Sequence, residues 1–408
     1  MPRNLIVLLD GTGNEVGDQQ TNILRLYRCL LKDGPGQKTI YIPGVGTNDS
    51  PNQAGKWWQK VKSVCGLAFG LGLEDDVMQA YRFLCAHHKT ASKTDEDKRD
   101  DILIFGFSRG AYAARVLAGF IHNVGLMPVH QLHLAPQVFR AYREITDAGE
   151  DADHDETYQR LREYAQVIDQ DLVPIRFLGL FDTVSSMVRF RRFLNNIKKH
   201  ASLLELGTHA NVDSNTSVQM VRHALAIDER RSMFRAQTWV PTDYKPNRFA
   251  EPEGPQDVKQ VWFPGYHSDI GGSPMEDRAG IGKITLKWML DELAAAGVKL
   301  TFKRGAINRY VLGGIKDART MGGLPYSTPD PLAPIHNSMR FPWTLLEIFP
   351  KSMTRREWPD GRPGFIWYLP LSEPRKIPLG EPDLKHSISD AAETRRKEMP
   401  KYNPPNLP

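Results

Sequence analysis

The sequence predicts an α/β protein, a mostly parallel sheet covered by helices on both faces. Three observations predict it: short apolar runs recur, they alternate with amphipathic helical patterns, and several close on glycine or acidic residues. The first run, 5–9 (LIVLL), closes on Asp10-Gly11-Thr12-Gly13-Asn14, and a helical pattern follows at 20–33. The second, 39–44 (TIYIPG), precedes a helix at 74–89. The third, 101–106 (DILIFG), passes at once into an alanine-rich helix at 109–124. Helical patterns at 131–148 and 155–169 lead to the fourth run, 174–181 (PIRFLGLF). A further helical pattern, 215–230, leads to the fifth run, 258–265 (VKQVWFPG), and a helix at 281–297 ends the series. Strands buried on both faces read as continuous Ile, Val, Leu and Phe, as these do. In such sheets the working residues sit on loops past the carboxyl ends of the strands.

From Met321 the texture changes. Between 325 and 382 prolines interleave with Trp343, Phe349, Trp358, Trp367 and Tyr368. Proline fixes φ and lacks an amide donor, so this predicts an irregular cover. The expected organisation is an α/β catalytic domain over 1–300 and an extension over 301–408 packed on it, with a loose tail from about 390.

The 408 residues suffice for a full core, and 40% hydrophobic with 25% charged is ordinary for a globular protein. A net charge of +5 argues against a dedicated nucleic-acid binder, yet allows a local basic face for phospholipid headgroups. Cys29, Cys65 and Cys85 form no C-x-x-C pair, which predicts neither a disulfide framework nor a zinc site. The N-terminus is too short in apolar residues for a signal peptide, and no run is long enough to span a membrane. The expectation is a cytoplasmic protein, with signal-independent export left open.

Candidate chemistry begins at Gly106-Phe107-Ser108-Arg109-Gly110, which joins a strand to a helix. That context suits a nucleophile elbow: the glycines permit a sharp turn and the Ser108 hydroxyl projects above the sheet. The plain alternative is a tight turn with Ser108 as a helix cap. A nucleophilic serine needs a base, and the base an orienting acid. Asp182 follows the fourth run and His267 the fifth, in the chain order Ser, Asp, His. The backbone amide of Arg109, with one from Gly11 or Thr12, would form an oxyanion hole. Asp10 and Asp269 read as supporting carboxylates. With His267 they could instead hold a metal, which makes a metal-dependent phosphoesterase the alternative enzyme. An inactive hydrolase-fold interaction module is the alternative of another class, and the complete Ser, Asp and His set speaks against it.

These residues also carry a resemblance. LLDGTGN, GFSRGAYAAR, LGLFDTV and WFPGYHSDIGG, in this order, resemble the α/β-hydrolase family that includes the type VI secretion phospholipase effectors of family one. FGLGLEDDVMQAYRFL (69–84) and ALAIDERR (224–231) are similar too, so the resemblance spans 4–297. PRKIP (374–378) and KHSIS (385–389) resemble the family's C-terminal part and make His386 a competing base. The resemblance implies an α/β-hydrolase-like fold in a stand-alone member, and a serine esterase or lipase with Ser108 as nucleophile, Asp182 as acid and His267 as base. No cofactor is implied, and phospholipid is the implied substrate class. Peripheral membrane contact would use the aromatic and lysine stretch 56–73, with Trp57, Trp58 and Phe69, or the basic cluster of Arg189, Arg191, Arg192, Lys198 and Lys199. Both also have a plain reading, as core aromatics and as a solvated face.

Overall fold

A computed structural model describes residues 3–12, 19–44, 72–89, 99–147, 154–184, 187–190, 204–207, 211–244, 254–339, 343–348, 351–352, 357–358 and 367–407. The stretch 56–71 and the basic residues Arg191, Arg192, Lys198 and Lys199 lie outside the described residues.

In chain order the strands are β1 (Asn4–Thr12), β2 (Asp33–Gly34), β3 (Gln37–Gly44), β4 (Asp101–Phe107), β5 (Ile175–Phe181), β6 (Met187–Phe190) and β7 (Leu204–Gly207). They continue with β8 (Val218–Ala226), β9 (Asp243–Tyr244), β10 (Gly254–Pro255), β11 (Asp257–Phe263), β12 (Lys351–Ser352), β13 (Trp367–Tyr368) and β14 (His386–Ile388). Eight of them form one sheet in the order β14-β11-β8-β5-β4-β1-β3-β2. Every neighbouring pair in it is parallel except the β2–β3 hairpin. This is a mostly parallel α/β sheet.

Successive β1 residues point to opposite faces, and each face has its own core. Leu5, Val7 and Leu9 pack with Val77 and Tyr81 of helix α2 (Leu73–His87) and Leu117 and Phe120 of helix α3 (Arg109–Val124). Helices α4 (Ala135–Asp147) and α5 (His154–Val167) complete that layer. Ile6 and Leu8 pack on the other face with Ile23 of helix α1 (Asn22–Cys29) and Leu286 and Met289 of helix α6 (Gly280–Ala295). Each such buried side chain contributes about 1.5–3 kcal/mol, so the sheet is held from both sides.

Two expectations are corrected. The pattern at 215–230 is not a helix; its centre is strand β8, bonded to β5 on one side and β11 on the other. Its Ala, Leu and Arg residues are good helix formers, but propensity is a small energy and pairing between two strands overrides it. The segment from 390 is not loose. β14 adds an edge strand to β11, and helix α7 (Asp390–Glu398) follows it. Arg395 donates to the carbonyls of Pro331 (2.7 Å) and Ala333 (2.8 Å), and Asn406 donates to that of Ile227 (3.0 Å).

The chain passes from β1 to β3 on one side, then returns to place β4 on the other. This reversal opens a crevice above the carboxyl ends of β1 and β4, where ligands bind in such folds.

Candidate active site

Ser108 sits in that crevice, between β4 and α3. Its backbone is strained, with φ 58° and ψ −122°, while its amide is held by the Phe181 carbonyl at 3.0 Å. The two glycines follow from the packing. A Cβ at Gly106 would stand 2.4 Å from the Gly110 carbonyl oxygen, and one at Gly110 only 2.2 Å from that of Leu9. Helix α3 can therefore start directly against β1 only with glycine at both positions.

Ser108 Oγ lies 2.8 Å from His267 Nε2, and His267 Nδ1 lies 2.6 Å from Asp182 Oδ2. All three residues are buried. Asp182 also has positive φ, 41°, at the end of β5, and its Oδ1 accepts from the Ala226 amide at 2.9 Å. The next amide, that of Thr183, donates to His223 Nε2 at 3.2 Å and so fixes the same turn. Burial lowers His223 to about 3 and keeps this imidazole neutral. His267 is carried by the one-turn helix His267–Ile270 after β11. Its ring lies between Phe107 (centroids 4.9 Å) and Phe234 (5.0 Å), and its amide donates to Glu229 at 3.2 Å.

Sequence reasoning missed Arg375. Its Nη1 donates to Asp182 Oδ1 at 2.6 Å and its Nη2 to Asp182 Oδ2 at 3.0 Å. Its remaining donors reach the Phe234 and Ala226 carbonyls. Burial alone would raise the Asp182 pKa. The Arg375 charge and the His267 contact overcome it and hold the carboxylate well below the ordinary range. His267 is shifted down, because burial outweighs the attraction of Asp182. With Asp182 ionised, His267 Nδ1 carries the proton and Nε2 accepts from the Ser108 hydroxyl. The one signal for Arg375 was its place in the PRKIP segment.

Asp10 is a loop organiser. It accepts from the Gly11 amide (2.7 Å), Thr21 Oγ1 (2.6 Å) and Tyr41 Oη (2.8 Å). Thr21 in turn caps α1, so Asp10 ties that helix to the end of β1. The Gly11 amide, a candidate oxyanion donor, points at Asp10 Oδ1, and Thr12 follows it at the end of β1. Asp269 accepts from the amides of Tyr266 (2.9 Å) and His336 (3.0 Å) and meets His336 Nδ1 at 2.7 Å, which braces the turn that carries His267. The metal reading of Asp10, His267 and Asp269 loses its donors to these contacts, and the described residues contain no group of three suited to a metal. His386 lies in edge strand β14, where Trp262 Nε1 donates to its Nδ1 at 3.0 Å and Gln260 meets its Nε2 at 3.2 Å. The imidazole on Ser108 is that of His267, not His386.

Trp343 meets Phe234 edge-on at 5.2 Å, and the Arg231 guanidinium lies 3.6 Å over the Phe234 ring. Arg231 is neutralised by buried Glu229 at 2.8 Å. Trp358 bonds the Pro374 carbonyl at 2.6 Å, next to Arg375. The C-terminal extension thus supplies Trp343 against Phe234 and Trp358 beside Arg375, on the His267 side of the site. No helix among the described residues is long and apolar enough to cross a membrane.

Residues 3–292 match the family described as the T6SS phospholipase effector Tle1-like catalytic domain. The uncharacterized protein YEL023C of Saccharomyces cerevisiae is 29% identical over 256 residues, 61% of this chain and 34% of that protein. An uncharacterized protein from Pseudomonas aeruginosa has a solved structure that is 18% identical, with TM-score 0.38, over 74% of this chain and 47% of that one. The structure of the Tle1 effector bound to the VgrG spike of a type VI secretion system is 17% identical, with TM-score 0.28, over 67% of this chain and 53% of that one. The chain therefore spans about a third of the curated relative it matches and about half of these solved chains.

Proposed function

This chain belongs to the family of Tle1-like phospholipase effector catalytic domains, and on that premise we propose that it is a serine hydrolase of carboxylic esters that acts on phospholipid. One observation carries the reading: Ser108, His267 and Asp182 form an unbroken hydrogen-bonded chain, at 2.8 and 2.6 Å, above the switch point of the sheet.

In this mechanism Ser108 Oγ attacks the ester carbonyl while its proton passes to His267 Nε2. Asp182 holds the imidazole tautomer and stabilises the imidazolium. The oxyanion lies at the start of α3, facing the Arg109 amide and one from Gly11 or Thr12 at the end of β1; Thr12 is preferred because the Gly11 amide is engaged by Asp10. As the ester C–O bond breaks, the His267 proton goes to the leaving alcohol. Water then enters, gives a proton to His267 and attacks the acyl-enzyme. The fatty acid leaves as the proton returns to Ser108.

The test is labelling by a fluorophosphonate beside hydrolysis of phosphatidylcholine vesicles. Wild type should label and release fatty acid. Ser108→Ala and His267→Ala should lose labelling, with turnover down about ten-thousandfold. Labelling that persists in Ser108→Ala would move the nucleophile elsewhere and end this assignment.

A further inference from the structure

Away from the crevice, a cleft of about 590 Å³ runs along α1 toward its C-terminal end. Five cations line it: Arg28, Lys32, Lys303, Arg304 and Arg309. No carboxylate lines it, and among the described residues none of the five pairs with one. Nearby carboxylates are taken: Asp33 pairs with Lys38 at 2.8 Å, and Glu276 with Arg25 at 2.7 Å.

Arg28 and Lys32 are held by neutral groups that leave their charge uncompensated. Arg28 donates to Gln20 Oε1 (2.7 Å) and Tyr310 Oη (3.2 Å) and lies 4.2 Å over the Tyr310 ring. Lys32 donates to the Tyr27 carbonyl (3.1 Å) and lies 4.2 Å over the Tyr27 ring. The Lys303 amide bonds the Cys29 carbonyl, which sets its side chain beside that of Lys32. Burial first, and Lys303 next, lower Lys32 to about 8, as two like charges in one place require. The C-terminal end of α1 offers about half a negative charge, far less than the positive charge gathered there.

We infer that this cleft binds a phosphate-bearing anion. Its volume suits a small ligand, arginine forks match phosphate oxygens, and the lysines add point charges. Lys32, with Lys303 beside it, lies at the end of the sheet opposite Ser108. Lys32 adjoins β2, whose partner β3 begins beside the amino end of β1, while Ser108 follows the carboxyl end of β4. The site is therefore separate from the proposed chemistry and does not depend on it.

The test uses the full chain. Inorganic pyrophosphate is titrated calorimetrically at low salt. Phosphatidylcholine vesicles with and without phosphatidic acid are sedimented with the protein. The variants are Lys303→Glu/Arg309→Glu and Arg304→Glu, all at exposed positions, with Lys397→Glu on α7 as a charge control. Wild type and the control should bind, and the double variant should bind about tenfold or more weakly, with Arg304→Glu weakened as well. Its unfolding temperature and hydrolysis of a short-chain ester should match wild type. Binding of pyrophosphate supports the site with a free phosphate as source. Binding of phosphatidic acid vesicles alone, lost in the same variants, supports it with a lipid headgroup as source. The inference is overturned if wild type binds neither, or if the double variant binds as tightly as the control.

Discussion

Arg375 reaches Asp182 from 193 residues further along the chain, and both guanidinium nitrogens of its fork engage the one carboxylate. It bonds neither Ser108 nor His267, so in the proposed mechanism its part is to position Asp182. Removing one member of a buried pair costs about 3–5 kcal/mol, so Arg375→Met should lower Tm markedly. It should also leave a mark that lost stability would not. His267 must be neutral to act as a base, and burial lowers its pKa, so the acid limb of wild-type kcat/KM should lie below about pH 6.5. Without Arg375 the Asp182 charge acts on His267 undiminished and favours the imidazolium. The limb should then move to higher pH, with Arg375→Lys in between; a limb that stays in place would make Arg375 merely structural. At the elbow, Gly110→Ala drives a methyl into the Leu9 carbonyl. It should cost about 1–3 kcal/mol and abolish fluorophosphonate labelling, since α3 must shift away from β1.

Strand β14 closes the sheet with three residues, and His386 is the first of them. Burial lowers His386 to about 4, so the folded state resists a proton that the unfolded chain accepts near 6.5. Its contribution to stability is present above that value and is lost as pH falls from about 6.5 toward 4. His386→Asn removes this slope. Thermal unfolding should show the variant below wild type at neutral pH, with the gap narrowing near pH 5. Deleting residues 381–408 is harsher, because it strips β14 and α7 from Trp262, which is fully buried on β11. The bared edge of β11 should make that protein aggregate, as an uncovered strand edge does.

Across the whole molecule, residues 301–408 are stitched to the rest at several places: β14 on β11, Arg375 on Asp182 and Asn406 on the Ile227 carbonyl. We expect the extension to unfold with the catalytic part in one transition. Urea titration followed by fluorescence of the eight tryptophans and by ester hydrolysis should give coincident curves. Hydrolysis that survives past the fluorescence midpoint would mark 301–408 as a separate unit.

The fold class was legible because parallel strands are apolar along their whole length, and five of the eight sheet strands carry that signature. β8 was misread because its residues are good helix formers, and only its place between β5 and β11 makes it a strand. The local elbow and the order of strand ends marked Ser108, Asp182 and His267, since each lies just past a readable apolar run. By itself, then, the sequence determined the layered sheet and singled out these three residues as candidates, through periodicity and local turn chemistry. Tertiary structure alone decided that His267 and not His386 meets Ser108, that Asp10 and Asp269 are spent on loop amides and side chains, and that Arg375 steadies Asp182. The physical reason is that these choices are contacts between residues far apart in the chain, set by which strand ends the sheet brings together and by which charges burial forces to pair.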